Sequence, residues 1–557
     1  LKIWRILAIG PTKVIAITLF TAVCITLVIA WSAGTIHNLW LDYLTETTRA
    51  MAKQQFLEKV LTARVYDVAR ETPLDYLERI SSRFDNKVWL KREDLQSIYS
   101  FKLRGAFNAI YQVHRIHPEL AGVITASAGN HAQGVALAAS KLHLKATIVM
   151  PTSTPNIKVS AVKSFGAKVI LHGDNFDAAK DYCLELAKKE GLAFIHPFDD
   201  FNVMAGQGTI AHEIIRQHPD NIDAIFVPVG GGGLMAGIAG FIKAVKPDVK
   251  LIAVEPADAA CFYEAIKAGR RVTLKEVGIF ADGVAVRQIG KKTYSMMRDL
   301  VDDVITVSTD QICAAIKDTF EDTRAICEPA GAVSLAGLKK YVESKGLKGR
   351  TLVAINSGAN MNFDRLRHVS ERSELGEDRE ALLAVQIPEQ PGSFKRFCQL
   401  IGRRQITEFN YRYADDSIAR VFAGIQLTHG IAEKNEFIAL LKSKNYPVID
   451  MTDNEVAKLH ARYMVGGHPG ASVTNELLFR FQFPEKPGAL LNFLMKVGKR
   501  WNISLFHYRN HGSNFGRILM GFQVDKADHE TFRAFLSSLD IPHWDETENS
   551  AYQLFLK

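Results

Sequence analysis

Four consecutive glycines, Gly230–Gly233, separate an apolar run, Ala224–Val229, from a helix-forming stretch, Leu234–Val245. A buried strand that turns directly into a helix through residues lacking Cβ leaves few architectures open. It makes a strand-to-helix turn of a parallel sheet, with backbone N–H groups exposed and a helix dipole behind them. Such a turn cradles an anion, most simply a phosphate. No Lys-Ser or Lys-Thr follows the glycines, which excludes a Walker loop. A dinucleotide turn is the stronger rival: Gly231, Gly233 and Ala236 fit a loose G-x-G-x-x-A pattern, and Glu255 closes the next strand, Lys250–Val254, about twenty residues on.

The neighbouring chain repeats the alternation. Strands are expected at Ala146–Met150 and Lys168–Leu171, and helices at Ile157–Phe165 and Asn175–Lys189. This predicts an α/β domain of parallel sheets covered by helices. At Ser100–Ala106 (SFKLRGA) a strand, Val88–Lys91, hands over to a helix with Ser100 at its N-cap and Leu103, Phe107 and Ile110 on its apolar face. Lys102 then lies in the first turn, where the positive end of the dipole disfavours an ammonium, as an amine nucleophile at neutral pH requires. By itself Lys102 reads more readily as a surface lysine. Ser127–His131 (SAGNH) follows a further strand, Gly122–Thr125, and precedes an Ala-rich helix, Gln133–Ser140. Its small residues let backbone amides face a second anion. Asn130 adds a side-chain amide there or serves as a cap or turn residue. A phosphate cradle, an anion loop and a helix-start lysine together favour pyridoxal phosphate over a dinucleotide, because only the former needs the lysine.

SFKLRGA, SAGNHAQG, PVGGGGL and SGAN, in that order between Ser100 and Asn360, resemble the fold-type II (tryptophan synthase β-like) pyridoxal-phosphate enzymes. Within that group the resemblance to the biosynthetic threonine dehydratases extends over nearly all of the chain after Met51. It implies that Lys102 forms the Schiff base with the cofactor, with Phe101 beside the ring and Asn130 on the ring hydroxyl. Gly230, Gly231, Gly232 and Gly233 would hold the phosphate, and Ser357 would face the pyridine nitrogen. Ser127, Ala128, Gly129, Asn130 and His131 would bind the substrate carboxylate. A neutral hydroxyl at Ser357 leaves the ring nitrogen largely unprotonated, and the weaker electron sink suits elimination over transamination. The implied reaction is dehydration and deamination of L-threonine, and of L-serine, to 2-oxobutanoate or pyruvate and ammonia, the first committed step of isoleucine biosynthesis. Lys102, freed by the substrate, would act as general base at Cα. In the related serine racemases a serine precedes the Gly-Asn-His of this loop and acts from the opposite face. Here that position is Ala128, so racemisation is expected to be poor. Two other readings stay open: a different β-eliminating enzyme of the same fold type, and a non-catalytic amino-acid sensor.

The 557 residues leave room for roughly three or four domains of ordinary size. The catalytic domain is expected over 52–370, ending at the charged run Ser370–Arg379. Beyond it the chain repeats itself. Leu382–Leu427 and Leu477–Val524 share Pro-Glu-x-Pro-Gly, at Pro388–Gly392 and Pro484–Gly488, and a Phe-x-Tyr-Arg strand, Phe409–Arg412 and Phe506–Arg509. Each unit reads strand, helix, strand, strand, helix, strand, a ferredoxin-like plan, giving modules at 380–452 and 474–557. They resemble the ACT-like regulatory domains of the same dehydratases. The resemblance implies isoleucine as inhibitor, valine as opposing activator and a homotetramer. The alternative is a role in assembly alone. Tyr411 and Tyr508, at equivalent places in the two repeats, are candidates for effector contact or for packing.

From Val14 to Trp31 the chain is almost wholly apolar, with no charge between Lys13 and Asp42, long enough to span a bilayer. Because the resemblance begins near Met51, residues 1–50 are expected to be upstream translation; a signal peptide or anchor is the rival. Without that segment no membrane association is expected. The six cysteines form no C-x-x-C pair and no metal-ligand spacing, so no metal site and a reducing, cytoplasmic compartment are expected. The net charge of +8 is spread without a long basic run, which speaks against nucleic-acid binding. His131 and His212 read as a loop residue and a helix-face residue rather than catalytic groups.

Overall fold

A computed structural model of the chain describes residues 20–27, 51, 53–218, 220–363, 365–402, 404–413, 417–464, 473, 475–484, 489–497, 500–509, 515–539 and 541–556. Most of the Val14–Trp31 stretch, the start of the second repeat at 474 and its Pro-Gly turn at 485–488 lie outside the described residues. Among the described residues no helix is long and apolar enough to cross a membrane. The chain divides into two compact units, the first reaching to Ser308 and resuming over Asp318–Met361, the second comprising Thr309–Lys317 and Asn362–Lys557.

Among the described residues the first unit holds ten strands: β1 (Leu74–Tyr76), β2 (Lys87–Arg92), β3 (Val123–Ala126), β4 (Ala146–Met150), β5 (Lys168–Leu171), β6 (Ala193–Phe194), β7 (Ala224–Pro228), β8 (Lys250–Pro256), β9 (Asp303–Val307) and β10 (Thr351–Asn356). They form a six-stranded sheet in the order β1-β2-β10-β7-β8-β9 and a four-stranded sheet in the order β5-β4-β3-β6. All pairings are parallel except the edge pair β1–β2. Every residue of β3, β4 and β7 is buried, as continuous apolar strands covered on both faces must be. The expected alternation is therefore present, distributed over two sheets.

The Lys102–Ile116 helix starts at Lys102, with Phe101 rather than Ser100 as its cap residue. Ser100 is held one step earlier, in an isolated antiparallel bridge with Gly358, while Phe101 N donates to the Ser357 carbonyl at 3.3 Å. That pairing brings the Ser357–Gly358 turn against the start of the lysine helix.

A buried ion quartet anchors the same helix. Lys91, Glu93, Arg104 and Glu213 all have zero exposed surface. Arg104 spreads its fork over both carboxylates, with Nε and Nη2 each 2.8 Å from Glu93 and Nη1 2.6 Å from Glu213, and Lys91 Nζ lies 2.6 Å from Glu213. The quartet ties β2, the turn Glu93–Leu95, the lysine helix and the Phe201–Gln217 helix together.

The second unit contains the expected repeat twice. β11 (Glu380–Pro388), a helix Ser393–Ile401, β12 (Ile406–Arg412), β13 (Ile418–Gln426), a helix Gly430–Ser443 and β14 (Val448–Asp450) make the first module. β15 (Glu476–Pro484), a helix Ala489–Val497, β16 (Asn502–Arg509), β17 (Phe515–Gln523), a helix His529–Ser538 and β18 (His543–Asp545) make the second. The modules pair through β12 and β16, so that one antiparallel sheet runs β14-β11-β13-β12-β16-β17-β15-β18. The charged run expected to divide the chain is mostly helix, Arg365–Gly376, within the second unit, and buries Val369, Arg372 and Leu375. Its charges are paired: Arg372 with Asp310 and Glu455, and Lys317 with Glu374 and Glu377. The division thus falls earlier, between Met361 and Asn362.

Removing one member of the quartet strands the opposite charges in the interior. Arg104→Leu is expected to cost about 3–5 kcal/mol of stability, read as a lowered midpoint in urea unfolding; a midpoint within experimental error of wild type would contradict this account.

Candidate active site

Three carbonyls of the glycine turn are bonded elsewhere. Gly230 O accepts from Cys261 Sγ, Gly231 O from Thr293 Oγ1 at 2.8 Å and Gly290 N, and Gly232 O from Ala236 N in the first turn of the Gly233–Val245 helix. The free N–H groups and the helix N-terminus then favour an anion. Each glycine answers a separate demand. A Cβ on Gly230 would lie 2.8 Å from Val284 Cα, one on Gly231 would overlap the Phe198 ring, one on Gly233 would lie 2.9 Å from Phe198 Cβ, and Gly232 has φ +89°.

These residues line a pocket open to solvent, together with Phe101, Lys102, Asn130, Phe198, Glu328 and Ser357. Burial pushes the Lys102 ammonium down to about 8, with Glu328 pulling in the opposite direction. Its Nζ lies 5.1 Å from the centre of the Phe101 ring. Ser357 is buried and donates its hydroxyl to the Ala330 carbonyl at 3.2 Å; to donate to a ring nitrogen the hydroxyl must turn away from that carbonyl. Asn130 begins the Asn130–Lys141 helix, with Gly129 as its cap residue. The expected lysine, glycines, Phe101, Asn130 and Ser357 therefore meet in one place.

The rest of the SAGNH loop is placed differently. Ser127, Ala128 and Gly129 lie beside the pocket-lining Asn130, with Ser127 N bonded to Val149 O and Gly129 N to Ser127 Oγ. His131 points into the protein, its Nε2 3.2 Å from the Ile195 carbonyl, and burial pushes its pKa down to about 3. Its ring is a neutral structural group; the expected carboxylate contact concerns its backbone N–H, at the start of the Asn130–Lys141 helix. Glu255, which made the dinucleotide reading attractive, is buried and accepts from Phe262 N and Tyr263 N, each at 2.8 Å, at the start of the Cys261–Ala268 helix. Those bonds leave no role on a ribose.

Sequence reasoning missed Glu328 and Phe198. Glu328 caps the Pro329–Lys345 helix, is 3% exposed and accepts from Asn130 Nδ2 at 2.7 Å. Burial, reinforced by Asp282, raises its carboxyl to about 8. The only local signal is an acid placed just before a helix-starting proline, which marks a cap but says nothing about a pocket.

Tyr411 and Tyr508 lie in the core of the second unit, 2% and 1% exposed, each paired across the β12–β16 junction with a phenylalanine of the other repeat, Phe506 and Phe409. The Tyr411 hydroxyl donates to Glu389. Packing, offered as the alternative, is what the structure gives them. A separate pocket opens between the modules, where Gly392, Phe394 and Lys395 face Leu494, Trp501 and Asn502.

The raised Glu328 carboxyl sets a pH dependence. Its contribution to the stability of the cofactor-free protein is complete below the unfolded value of 4.5 and lost as pH climbs through about 8. Unfolding free energy should therefore fall across that window in the wild type more steeply than in Glu328→Gln, which has no proton to lose. Parallel pH profiles in urea titrations would refute the protonated carboxyl.

Residues 65–358 match the family of pyridoxal-phosphate dependent enzymes, and residues 371–461 and 469–556 match the C-terminal regulatory domain of threonine dehydratase. The chain is 52% identical over 510 residues to the L-threonine dehydratase biosynthetic IlvA of Burkholderia multivorans, a match covering 91% of this chain and 100% of that protein. It is 52% identical over 506 residues to the protein of the same name from Escherichia coli K12, covering 90% and 97%. Among solved structures, the processed form of threonine deaminase isoform 2 from Solanum lycopersicum aligns with a TM-score of 0.57 and 49% identity, over 58% of this chain and 93% of that one. With both family models matched and such relatives aligned over nine-tenths of its length, the chain belongs to the biosynthetic threonine dehydratase family of pyridoxal-phosphate-dependent enzymes.

Proposed function

We propose that the chain dehydrates and deaminates L-threonine to 2-oxobutanoate and ammonia, acts on L-serine to give pyruvate in the same way, and is restrained by isoleucine. The observation that carries this reading is the convergence of a desolvated lysine amine, a Cβ-free anion cradle, Asn130 and Ser357 on one pocket. These groups fit pyridoxal phosphate: the cradle suits its phosphate, Lys102 Nζ its aldehyde, Asn130 its ring hydroxyl and Ser357 its ring nitrogen. Bound there, the cofactor supplies an electron sink for the negative charge left on the substrate Cα.

The chain's own groups do the rest. Ala128, Asn130 and His131, at the start of the Asn130–Lys141 helix and just before it, offer backbone N–H groups to the substrate carboxylate, while the N–H groups of Ser127 and Gly129 hold the loop itself in place. Lys102 Nζ, its ammonium lowered to about 8, is neutral in an appreciable fraction near neutral pH and takes the Cα proton once the substrate amine has displaced it. The same nitrogen, now protonated, can hand that proton to the departing β-hydroxyl, so that water leaves. The enamine released tautomerises and hydrolyses in solvent, giving the oxo acid and ammonia.

The effector reading centres on the pocket between the modules. Phe394, Leu494 and Trp501 offer an apolar wall for a branched side chain, while Lys395, in the first turn of the Ser393–Ile401 helix, suits a carboxylate. Tyr411 supports this site at one remove: its partner Glu389 also accepts from Asn502 Nδ2, at 3.4 Å. Valine, one methylene shorter than isoleucine, occupies the same wall less fully and opposes it. A homotetramer rests on the family resemblance alone. A cytoplasmic setting is supported by the six cysteines, all free thiols.

Protein loaded with pyridoxal phosphate should form 2-oxobutanoate from L-threonine, with isoleucine suppressing the rate sigmoidally. Turnover indifferent to isoleucine would reduce the modules to assembly elements, and absence of turnover despite bound cofactor would move the assignment to another β-eliminated substrate. Lys102→Ala should lose both the bound chromophore and turnover while still binding isoleucine in calorimetry. Lys395→Ala should raise the isoleucine concentration for half-inhibition several-fold, and an unchanged value would remove that lysine from the effector site.

A further inference from the structure

Glu328 is a buried carboxyl that makes no salt bridge among the described residues. It takes hydrogen bonds from Asn130 Nδ2 at 2.7 Å and from the backbone N–H of Asn360. Space for it is reserved by Gly358, where a Cβ would lie 2.7 Å from Glu328 Oε1. A carboxyl housed this deliberately in a pocket wall calls for an account.

The bonds around it determine which way the Asn130 amide points. The chain starts at the Ile98 carbonyl, which can only accept. Asn360 Nδ2 donates to it at 2.7 Å, so the NH₂ end of Asn360 is fixed. The same NH₂ group lies 2.7 Å from Asn130 Oδ1, so Asn130 must turn its oxygen toward Asn360 and its NH₂ toward Glu328. The opposite flip would set the NH₂ groups of Asn130 and Asn360 against each other. An amide NH₂ has two hydrogens. One is given to Glu328 Oε1, and the second remains for an acceptor in the pocket that Asn130 lines.

We propose that Glu328 is a positioning residue for the cofactor: through Asn130 it presents an amide N–H to the ring oxygen of bound pyridoxal phosphate. The proposal rests on the cofactor assignment above. A donor fixed at that oxygen favours its ionised form and adds a hydrogen bond to cofactor binding; an amide held from one end only is fixed less firmly in that orientation.

The test is a titration of pyridoxal phosphate into the cofactor-free full chain, followed by affinity and by visible absorption, which reports the protonation of the ring oxygen. Glu328→Gln keeps an acceptor oxygen and should retain the wild-type band. Glu328→Ala should weaken binding on the order of tenfold and move absorption toward the protonated form. Combined with Asn130→Ala, Glu328→Ala should add no further loss, because both act through one amide. Asn360→Ala frees the same amide from its other end, should produce the same spectral shift, and serves where Glu328→Ala does not fold. Additive losses in the double variant, or wild-type spectra in both Glu328→Ala and Asn360→Ala, would overturn the proposal. A wild-type chain that takes up no pyridoxal phosphate would instead overturn the cofactor assignment, and the proposal with it.

Discussion

The arrangement of the pocket depends on charges that never touch it. Lys102 and Arg104 are two residues apart on one helix, about 200° around its axis, so one side chain serves the pocket while the other enters the buried quartet. Arg104 binds Glu93 and Glu213, and Lys91 completes a neutral group of two cations and two anions. Burying four charges carries a large desolvation cost, and the quartet tolerates it only because each oxygen and N–H finds a partner. The reward is geometric: a helix held at its first turn by a bidentate fork has little freedom to rotate or slide, and the lysine two residues earlier inherits that precision.

At the far side of the pocket the same economy appears in neutral groups. The glycine turn selects an anion less through added charge than through the disposal of its own carbonyls, which Cys261, Thr293, Gly290 and the following helix turn occupy. Lys102 and Glu328 line the same pocket, both moved toward neutrality by burial. A site of this kind is weakly charged in itself and takes its polarity from directed N–H groups, which need no reorganisation when a ligand arrives.

How much of this was legible in the sequence follows from how local each cause is. Continuous apolar strands, the glycine turn and the helix-start lysine are written in adjacent residues, and the structure contains them with shifts of one or two positions, such as the cap moving from Ser100 to Phe101. The repeat was legible because it compares the chain with itself. Glu328 and Phe198 were not, since their role arises only when the start of one helix and a loop meet the pocket from distant parts of the chain. The charged run before the modules was misread for a related reason: its partners Asp310 and Lys317 lie some sixty residues earlier in the chain, and charges paired at such separation look like solvated ones. Tyr411 and Tyr508 show the limit of symmetry arguments, because equivalent positions in a repeat identify shared geometry and do not distinguish a binding face from a core.

The junction between the modules has a consequence for how they can exist at all. Each would, alone, expose β12 or β16 as a full-length outer strand with aromatic side chains along it, the kind of border that invites pairing with other chains. Joined, those two borders annul each other, and the sheet ends on β14 and β18, only three residues each. The repeat therefore does more than double a fold: each copy covers the most association-prone border of the other, so neither half can be trimmed away without reopening it.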